Sequence, residues 1–387
     1  MADKKLKFNA DGKFVIMQVS DAQDLQFVRH TMVRMLNKAY DSIEPDLVVF
    51  TGDNILGNHL RDARFGSREV IHTKEAEYKR MKKAISHICE PLEKRQIPFT
   101  MIYGNHDDVN EITKEEQADI FRGYSMCVGL DNPDKTVDVD TFDLPVYSHS
   151  GNKKVFNLWM IDSAWYDKEA DKCHTGVKKE TIDWYKKRCD ELTEENGGTP
   201  VPSIMFQHIP MPETIRLLKE CGKDDEKAVP YFRKGEAEKY MKLDGTRADG
   251  FLYEPISACE ENYGQLEALK EKGDVRAIVY GHDHTNNFIG EHDGITVIQS
   301  SAASFRCYGN HLRGVRIFVL DENEPESFRT YFLTYSEICG TSIPNRVAYI
   351  WDADGCFKQK TALIAGTAAA AVGLGVAIYS FRRKHNG

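Results

Sequence analysis

Short apolar runs alternate along the chain with longer amphipathic segments. The short runs are rich in β-branched residues and predict buried strands at 14–19, 47–51, 99–103, 155–161, 203–206, 277–280, 295–299 and 315–320. The longer segments repeat apolar residues at helical spacing and predict helices at 25–43, 74–95, 113–124, 177–194 and 260–272. This alternation predicts an α/β fold with buried sheets. Two long connections, 125–154 and 209–259, are expected to be irregular or functional.

The C-terminal run at 361–381 has no charged side chain and is followed by a basic tail at 382–387. As a helix it would be about 31 Å long, close to the thickness of a bilayer core. We therefore predict a folded domain at 1–340, a linker at 341–360 and a transmembrane helix at 361–381. A helix packed on the domain is the alternative. Small residues at 366, 369, 370 and 373 would allow a helix-mediated homodimer.

An N-terminal secretory signal is not visible, because the apolar run at 14–17 is short and flanked by charge. The expected location is therefore a cytoplasmic domain anchored to a membrane by its C-terminal helix. Nine cysteines without paired metal-ligand spacing are typical of thiols in a reducing compartment.

The charge distribution argues against nucleic acid as a partner. The net formal charge is −9, and residues 357–387 carry five basic side chains and no acidic one, so residues 1–356 stand at −14. A surface of that sign repels a polynucleotide backbone at long range. Small or protein-borne substrates are therefore favoured.

Polar side chains follow nearly every predicted strand at once. Because the carboxyl ends of strands in an α/β sheet share one crevice, we expect these segments to meet. The pair of histidines after the 277–280 strand is the least ordinary of them, since two imidazoles so close can bind different metals. The five segments are Asp21-Ala22-Gln23, Gly52-Asp53-Asn54, Gly104-Asn105-His106-Asp107, Gln207-His208 and Gly281-His282-Asp283-His284.

The order of these motifs, D-x-[HQ], GD, GNHD, H and GHxH within residues 14–284, resembles the calcineurin-like metallophosphoesterase superfamily. The words GDN, QHIPMPE and GHDHTNNF are most similar to its purple-acid-phosphatase-like and yeast phosphatase-like branch. The resemblance implies a four-layer fold, in which two mixed β-sheets pack face to face and are flanked by helices. It also implies two divalent metal ions at the ends of the sheets.

The resemblance also implies a role for each matching residue. Asp53 would bridge the two metals, and His106 would be the catalytic histidine. The first metal would be completed by Asp21, Gln23 and His284, and the second by Asn105, His208 and His282.

Two positions depart from the family pattern. Gln23 stands where the family usually has histidine, and an amide oxygen favours Mn²⁺, Fe²⁺ or Mg²⁺ over Zn²⁺. Asp24 could ligate instead, or Gln23 could only form hydrogen bonds near the site. Leu56 stands where many relatives have aspartate, so if His106 needs an orienting carboxylate, Asp107 or Asp108 would have to supply it.

The expected activity is hydrolysis of a phosphomonoester by a metal-bridging hydroxide, with His106 assisting the leaving group. The substrate would be a phosphorylated small molecule, a lipid headgroup or a phosphoprotein. The alternatives are a phosphodiesterase acting on a small diester or lipid headgroup, and a membrane-tethered, non-catalytic interaction module, which Gln23 favours. Candidate substrate contacts in and just after the 209–259 connection are Tyr231, Arg233, Tyr253, Glu254 and Asn262.

The segment Cys307 to Arg313 matches the C-x5-R spacing of cysteine phosphatases. In those enzymes a following helix lowers the thiol pKa, whereas here a strand is predicted next. We therefore interpret this spacing as fortuitous, and we expect Arg306 and Arg313 to be solvated rather than in contact with substrate.

Overall fold

This computed structural model describes residues 5–57, 60, 73–163, 175–231, 238–356 and 358–362, which contain two large mixed sheets and one small antiparallel sheet. The strands are β1 (Leu6–Lys7), β2 (Lys13–Val19), β3 (Leu47–Thr51), β4 (Phe99–Ile102), β5 (Phe142–Tyr147), β6 (Lys154–Met160), β7 (Ser203–Phe206), β8 (Leu218–Glu220), β9 (Val229–Tyr231), β10 (Lys239–Leu243), β11 (Ala248–Phe251), β12 (Val275–Tyr280), β13 (Asn287–His292), β14 (Ile295–Gln299), β15 (Gly314–Asp321) and β16 (Phe328–Thr334). The eight-stranded sheet has the order β1-β5-β6-β7-β12-β14-β13-β11, the five-stranded sheet β16-β15-β2-β3-β4, and the small sheet β8-β10-β9.

Capping residues and terminal charges in the sequence account for the ends of two of the helices. A capping box fixes the start of the helix at Lys114–Arg122, because Thr113 and Glu116 each accept from the other's backbone N–H. The second helix starts at a threonine cap and carries basic residues in its last turn, which suits the helix dipole. The helices are α1 (His30–Ile43), α2 (Lys74–Arg95), α3 (Lys114–Arg122), α4 (Lys179–Glu195), α5 (Gln265–Lys272), α6 (Tyr335–Cys339) and α7 (Ile343–Asp352), with a 3₁₀ helix at Pro212–Leu217.

The eight-stranded sheet divides its side chains between two cores. Phe156, Leu158, Ile204 and Phe206 belong to the core shared with the five-stranded sheet and with α1 and α2. The alternate residues, such as Trp159, pack on the other face with α4 and α5. Because successive strand residues point to opposite faces, this division follows directly from the continuous apolar runs. The mixed α/β class predicted from the sequence is confirmed.

Parallel strands at the centre of each large sheet bring the functional segments together. In one sheet β6, β7, β12 and β14 are parallel neighbours, and in the other β2, β3 and β4 are. Gln18 near the end of β2 donates its Nε2 hydrogen to the carbonyl of Tyr280 at the end of β12, over 3.1 Å. The carboxyl ends of both parallel sets therefore meet.

Several predicted boundaries differ from the observed ones. The helix predicted to start at 25 starts at His30, because Asp24 accepts the backbone N–H groups of Leu25 and Arg29 and holds this stretch in a loop. The predicted linker contains α7, whose Asp352 accepts the backbone N–H of Thr31. The long connections contain β5 and the small sheet.

The prediction of a membrane-anchored protein is wrong on this structure, because no helix within the described residues is long and apolar enough to cross a bilayer. Of the predicted span 361–381, only residues 361 and 362 are described, at the end of a helical segment that starts at 358. Residues 363–381 and the basic tail at 382–387 lie outside the described part of the chain.

Candidate metal centre

Four predicted ligands hold an unusual backbone conformation. Asp21, Gln23, Asp53 and His282 have φ angles of 48°, 31°, 47° and 73°, in the left-handed region that side chains other than glycine seldom adopt. Each sits just after a strand of one of the two large sheets. Backbone strain of this kind persists only where the surrounding structure enforces it, and it is concentrated at functional sites.

Asp53 is at the centre of the cluster. One oxygen, Oδ1, lies 3.4 Å from Nε2 of His208 and accepts the backbone N–H of His106 over 2.8 Å. The other, Oδ2, accepts from Nε2 of Gln23 over 2.9 Å. The two oxygens therefore face the two groups of predicted ligands, as the bridging role expected of Asp53 requires.

One predicted group of ligands gathers beside Asp21. Ligand atoms of Asp21, Asp53 and His284 all lie within 4.8 Å of one another, and these residues are buried. Nε2 of His284 is 3.5 Å from Oδ1 of Asp21. The Asp21 carboxylate also accepts from the hydroxyl of Ser20 and from the backbone N–H of His282, which fixes its position.

The second predicted group gathers around His208. Nε2 of His208 lies 3.2 Å from Oδ1 of Asn105, and the His208 and His282 ring centroids are 5.1 Å apart. Asn105, His106 and His282 are half-buried, whereas His208 is fully buried. The half-buried residues lie on the solvent-facing side of the cluster. The structure thus brings all eight predicted site residues together, and their individual roles stay predictions.

Backbone carbonyls set the tautomers of both buried histidines. Nδ1 of His208 is 2.9 Å from the carbonyl of Thr51, and Nδ1 of His284 is 3.1 Å from the carbonyl of Tyr308. Because a carbonyl can only accept, Nδ1 carries the hydrogen in each ring and Nε2 faces the carboxylates. Nothing in the sequence pattern pointed to Thr51 or Tyr308.

Ser163 was also missed by the sequence reasoning. Its hydroxyl accepts the backbone N–H groups of His208 and Ile209 over 3.1 and 2.9 Å, which holds the start of this segment in place. Ser163 comes just after the predicted strand at 155–161, at the same edge as the other site segments. That position is the sequence signal that could have identified it.

Two motif glycines permit this close packing. A Cβ atom on Gly52, whose φ is +87°, would lie 2.4 Å from Nδ1 of His208. A Cβ atom on Gly104 would lie 2.1 Å from Oδ1 of Asp53. Both distances are far below van der Waals contact, so these positions accept only glycine.

The buried charges shift one another strongly. Burial alone would lower the pKa of His208, but Asp53 and Asp21 outweigh it and raise that pKa to about 9. Burial would likewise raise the pKa of Asp53, but His208 and His106 hold it well below its usual range. Because a metal binds neutral imidazole, a cation and a proton compete for Nε2 of His208.

The donor groups of the cluster suit two hard divalent cations. Its donors are carboxylate, amide and imidazole groups, the set that such ions accept. Among the described residues, Oε1 of Gln23 is buried and has no hydrogen-bond partner. A buried acceptor without a partner costs free energy, and a bound cation would satisfy it.

Asp24 cannot replace Gln23 as a ligand. Its carboxylate accepts the backbone N–H groups of Leu25 and Arg29 over 2.7 and 2.8 Å and pairs with the guanidinium of Arg306. That alternative from the sequence is therefore wrong, because the oxygens of Asp24 are already used in the loop before α1.

Asp107 is committed to the backbone rather than to His106. Its carboxylate accepts the N–H groups of Gly104, Asn54 and Ile55 over 2.8–3.1 Å, and Nδ2 of Asn54 over 3.1 Å. It therefore ties the GDN segment to the GNHD segment. Burial and the nearby charge of Asp53 raise its pKa to about 7. Asp108 stays the predicted partner of His106.

Arg313 is buried and Arg306 is half-buried and ion-paired, so neither is solvated as the sequence suggested. Arg313 is 1% exposed and donates to the carbonyls of Ser304 and Cys307, while Arg306 pairs with Asp24. Burial raises the pKa of the Cys307 thiol, whereas a cysteine phosphatase needs a lowered one. The geometry agrees with interpreting the C-x5-R spacing as fortuitous.

The predicted substrate contacts separate into two groups. Glu254 accepts from the backbone N–H and hydroxyl of Thr285, next to His284, and Tyr253 is 48% exposed beside it. Asn262 donates to Glu213, and Tyr231 pairs with Lys239 in the small sheet. Arg233 lies outside the described residues. Only the first group is tied by these contacts to the candidate centre.

Comparison with known proteins identifies the family. The family model described as Calcineurin-like phosphoesterase matches residues 14–286, a range that contains all eight predicted site residues. The family resemblance seen in the motifs is thereby confirmed.

Similar curated proteins come from plants and yeast. The chain is 25% identical over 354 residues to "Probable inactive purple acid phosphatase 29" of Arabidopsis thaliana, covering 83% of this chain and 80% of that protein. It is 24% identical over 311 residues to "Phosphatase DCR2" of Saccharomyces cerevisiae, covering 74% of this chain and 46% of that protein.

Similar solved structures include a dimetal phosphatase from Danio rerio, with a TM-score of 0.47, 12% identity, and coverage of 84% of this chain and 99% of that chain. Another is purple acid phosphatase PPD1 from yellow lupin, with a TM-score of 0.39, 10% identity, and coverage of 86% and 56%.

Proposed function

The chain belongs to the calcineurin-like phosphoesterase family of metal-dependent phosphoesterases, and from its candidate centre we propose that it hydrolyses a phosphomonoester. The observation that carries the proposal is the arrangement around Asp53, whose two oxygens face Gln23 on one side and His208 on the other. An arrangement of this kind suits a pair of cations sharing one carboxylate.

In the proposed assignment, Asp21, Gln23, Asp53 and His284 would hold one divalent ion. Asp53, Asn105, His208 and His282 would hold the other. Ions bound there would supply positive charge to the phosphoryl oxygens and lower the pKa of a water molecule. The unpartnered Oε1 of Gln23 supports a role for this amide oxygen, and therefore Mn²⁺, Fe²⁺ or Mg²⁺ rather than Zn²⁺.

His106 would serve the leaving group. Its backbone N–H is bonded to Asp53 and it is half-buried, so its ring belongs to the border between the centre and solvent. Hydrolysis forms a bond from water oxygen to phosphorus and breaks the bond from phosphorus to the ester oxygen. The departing oxygen needs a proton, which a ring nitrogen of His106 would donate.

The test is hydrolysis of an aryl phosphate by the full-length protein with added Mn²⁺. We expect His208→Ala and Asn105→Ala to lose on the order of a hundredfold or more in kcat/KM, because each removes a proposed ligand. His149→Ala is the matched control. His149 is exposed and follows the C-terminal end of β5, which is the end away from the candidate centre. Full activity in either ligand variant would refute the assignment. Faster turnover of an aryl diester would favour a phosphodiesterase.

A non-catalytic interaction module is the second candidate. Gln23 in place of histidine favours it, and several relatives carry "probable inactive" in their names. Metal content measured together with activity separates the two. Two ions per chain with turnover support the enzyme, while one ion or none without turnover supports the module.

A further inference from the structure

The aromatic ring of Tyr308 lies directly against the candidate metal centre. It stacks on the imidazole of His284, with ring centroids 4.3 Å apart and an angle of 18° between the planes. His284 is 4% exposed, whereas Tyr308 is 49% exposed. Because one face of the tyrosine ring covers His284, its exposed area belongs mainly to the opposite face and the edge.

Tyr308 is fixed in this position from both ends. Its carbonyl accepts from Nδ1 of His284, and its hydroxyl donates to Oε2 of Glu254 over 2.8 Å. The other oxygen of Glu254 accepts from the backbone N–H and the hydroxyl of Thr285, over 2.6 and 2.8 Å. A ring held this way loses little conformational entropy when a ligand stacks on it. Since the hydroxyl is already used, the ring face is what Tyr308 offers to a ligand.

Two more exposed aromatic rings belong to the segment that directly precedes Glu254. Phe251 and Tyr253 are each 48% exposed and are stacked, with centroids 5.8 Å apart and planes within 10°. The ring of His311 makes an edge-to-face contact with each of these two rings. The backbone N–H of Tyr253 donates to Asn286, two residues after His284. Exposed aromatic side chains grouped beside a site commonly mark a ligand surface.

We propose that Tyr308 is a stacking surface for a planar ring in the leaving group of the substrate. The preferred substrates are then phosphomonoesters of alcohols that carry such a ring, either nucleoside monophosphates or arylalkyl phosphates. This inference rests on the proposed phosphomonoesterase function and deepens it by naming the substrate class. Phe251 and Tyr253 extend the surface for leaving groups that reach further from phosphorus.

Two matched pairs of substrates test the inference. Adenosine 5′-monophosphate is compared with ribose 5-phosphate, and benzyl phosphate with cyclohexylmethyl phosphate. Within each pair the departing oxygen is a primary alkoxide, so the ratio of kcat/KM values reports the ring and not the chemistry of the ester. We expect a ratio of about tenfold in favour of the planar member of at least one pair. The first pair identifies a nucleoside and the second an arylalkyl group.

Variants assign that ratio to Tyr308. Tyr308→Leu should bring the ratio close to one, and Tyr308→Phe should keep it, because phenylalanine retains the ring. Tyr331→Leu is the control, since Tyr331 is an exposed tyrosine on β16. A ratio near one in the unaltered protein, or a high ratio that survives Tyr308→Leu, refutes the inference while leaving the proposed function intact. If none of the four esters is hydrolysed, the proposed function itself fails and the inference fails with it.

Discussion

Replacing Arg313 by methionine should loosen the loop that carries Tyr308. Arg313 donates to the carbonyls of Ser304 and Cys307 over 2.6 and 2.9 Å and to the hydroxyl of Tyr349 over 3.2 Å. Methionine keeps an apolar stem against Phe305, which lies 5.5 Å from the guanidinium, but it donates to none of these acceptors. These three acceptors, of which Ser304 is buried and Cys307 and Tyr349 are half-buried, would each lose a donor.

The size of the effect is worked from these three bonds, since the two further bonds that Arg313 donates, to the carbonyls of Asn310 and Asp354, are longer, at 3.3 and 3.4 Å. At about 1–1.5 kcal/mol for each bond, the substitution should cost about 3–4.5 kcal/mol. This is a large part of the roughly 5–15 kcal/mol that stabilises a folded domain, yet it should leave the protein folded. The loss falls on the loop between β14 and β15, whose Tyr308 carbonyl sets the tautomer of His284.

Urea unfolding followed by circular dichroism measures this loss. Arg329→Met is the matched control, because Arg329 is exposed on β16 and its removal changes the net charge equally. The reasoning would be contradicted if Arg313→Met lowered the free energy of unfolding by less than about 1 kcal/mol, or if both variants lowered it equally. Either result would mean that the hydrogen bonds of Arg313 do not contribute the expected stability.

Two further predictions concern a buried carboxyl and the family departure. Burial, despite the salt bridge to Lys114, raises the pKa of Asp162 to about 6. The folded state then binds this proton more tightly than the unfolded state, so the contribution of Asp162 to stability falls as pH rises from about 4 to about 6. Asp162→Asn should remove that dependence in urea melts across this range, and an unchanged pH profile would contradict the reasoning. Gln23→His should tighten Zn²⁺ binding about tenfold, measured by chelator competition, because imidazole is the better zinc ligand. Equal affinities would argue that position 23 does not ligate.

The central strands were predictable because they are buried on both faces. The runs at 47–51 and 203–206 match β3 and β7 residue for residue. The polar segments after them were expected to converge, since parallel strands end at one edge. The sequence therefore located the candidate centre, and the structure brings those segments together.

The missed strands lack such a signal. β10, Lys239–Leu243, has two lysines and no fully buried residue, and β13 starts with asparagine and contains Gly290. Their strand conformation comes from pairing with neighbours rather than from local propensity.

The burial of Arg313 could not be predicted from the sequence either. Its acceptors are mostly backbone carbonyls, which every residue carries, so no pattern of side chains marks them. The same is true of the carbonyls of Thr51 and Tyr308 that fix the two histidine tautomers.

Because the candidate centre draws side chains from both large sheets, the spacing of those side chains depends on how the two sheets pack against each other. Asp21, Asp53 and Asn105 follow strands of one sheet, and His208 and His282 follow strands of the other. Sliding one sheet along its partner would pull these side chains apart as two sets. The rings of Phe206 and Phe318, 5.8 Å apart across the interface, therefore help determine the spacing of the predicted ligands without being among them. Changes in that interior would reach the predicted ligands through rigid displacement of whole strands.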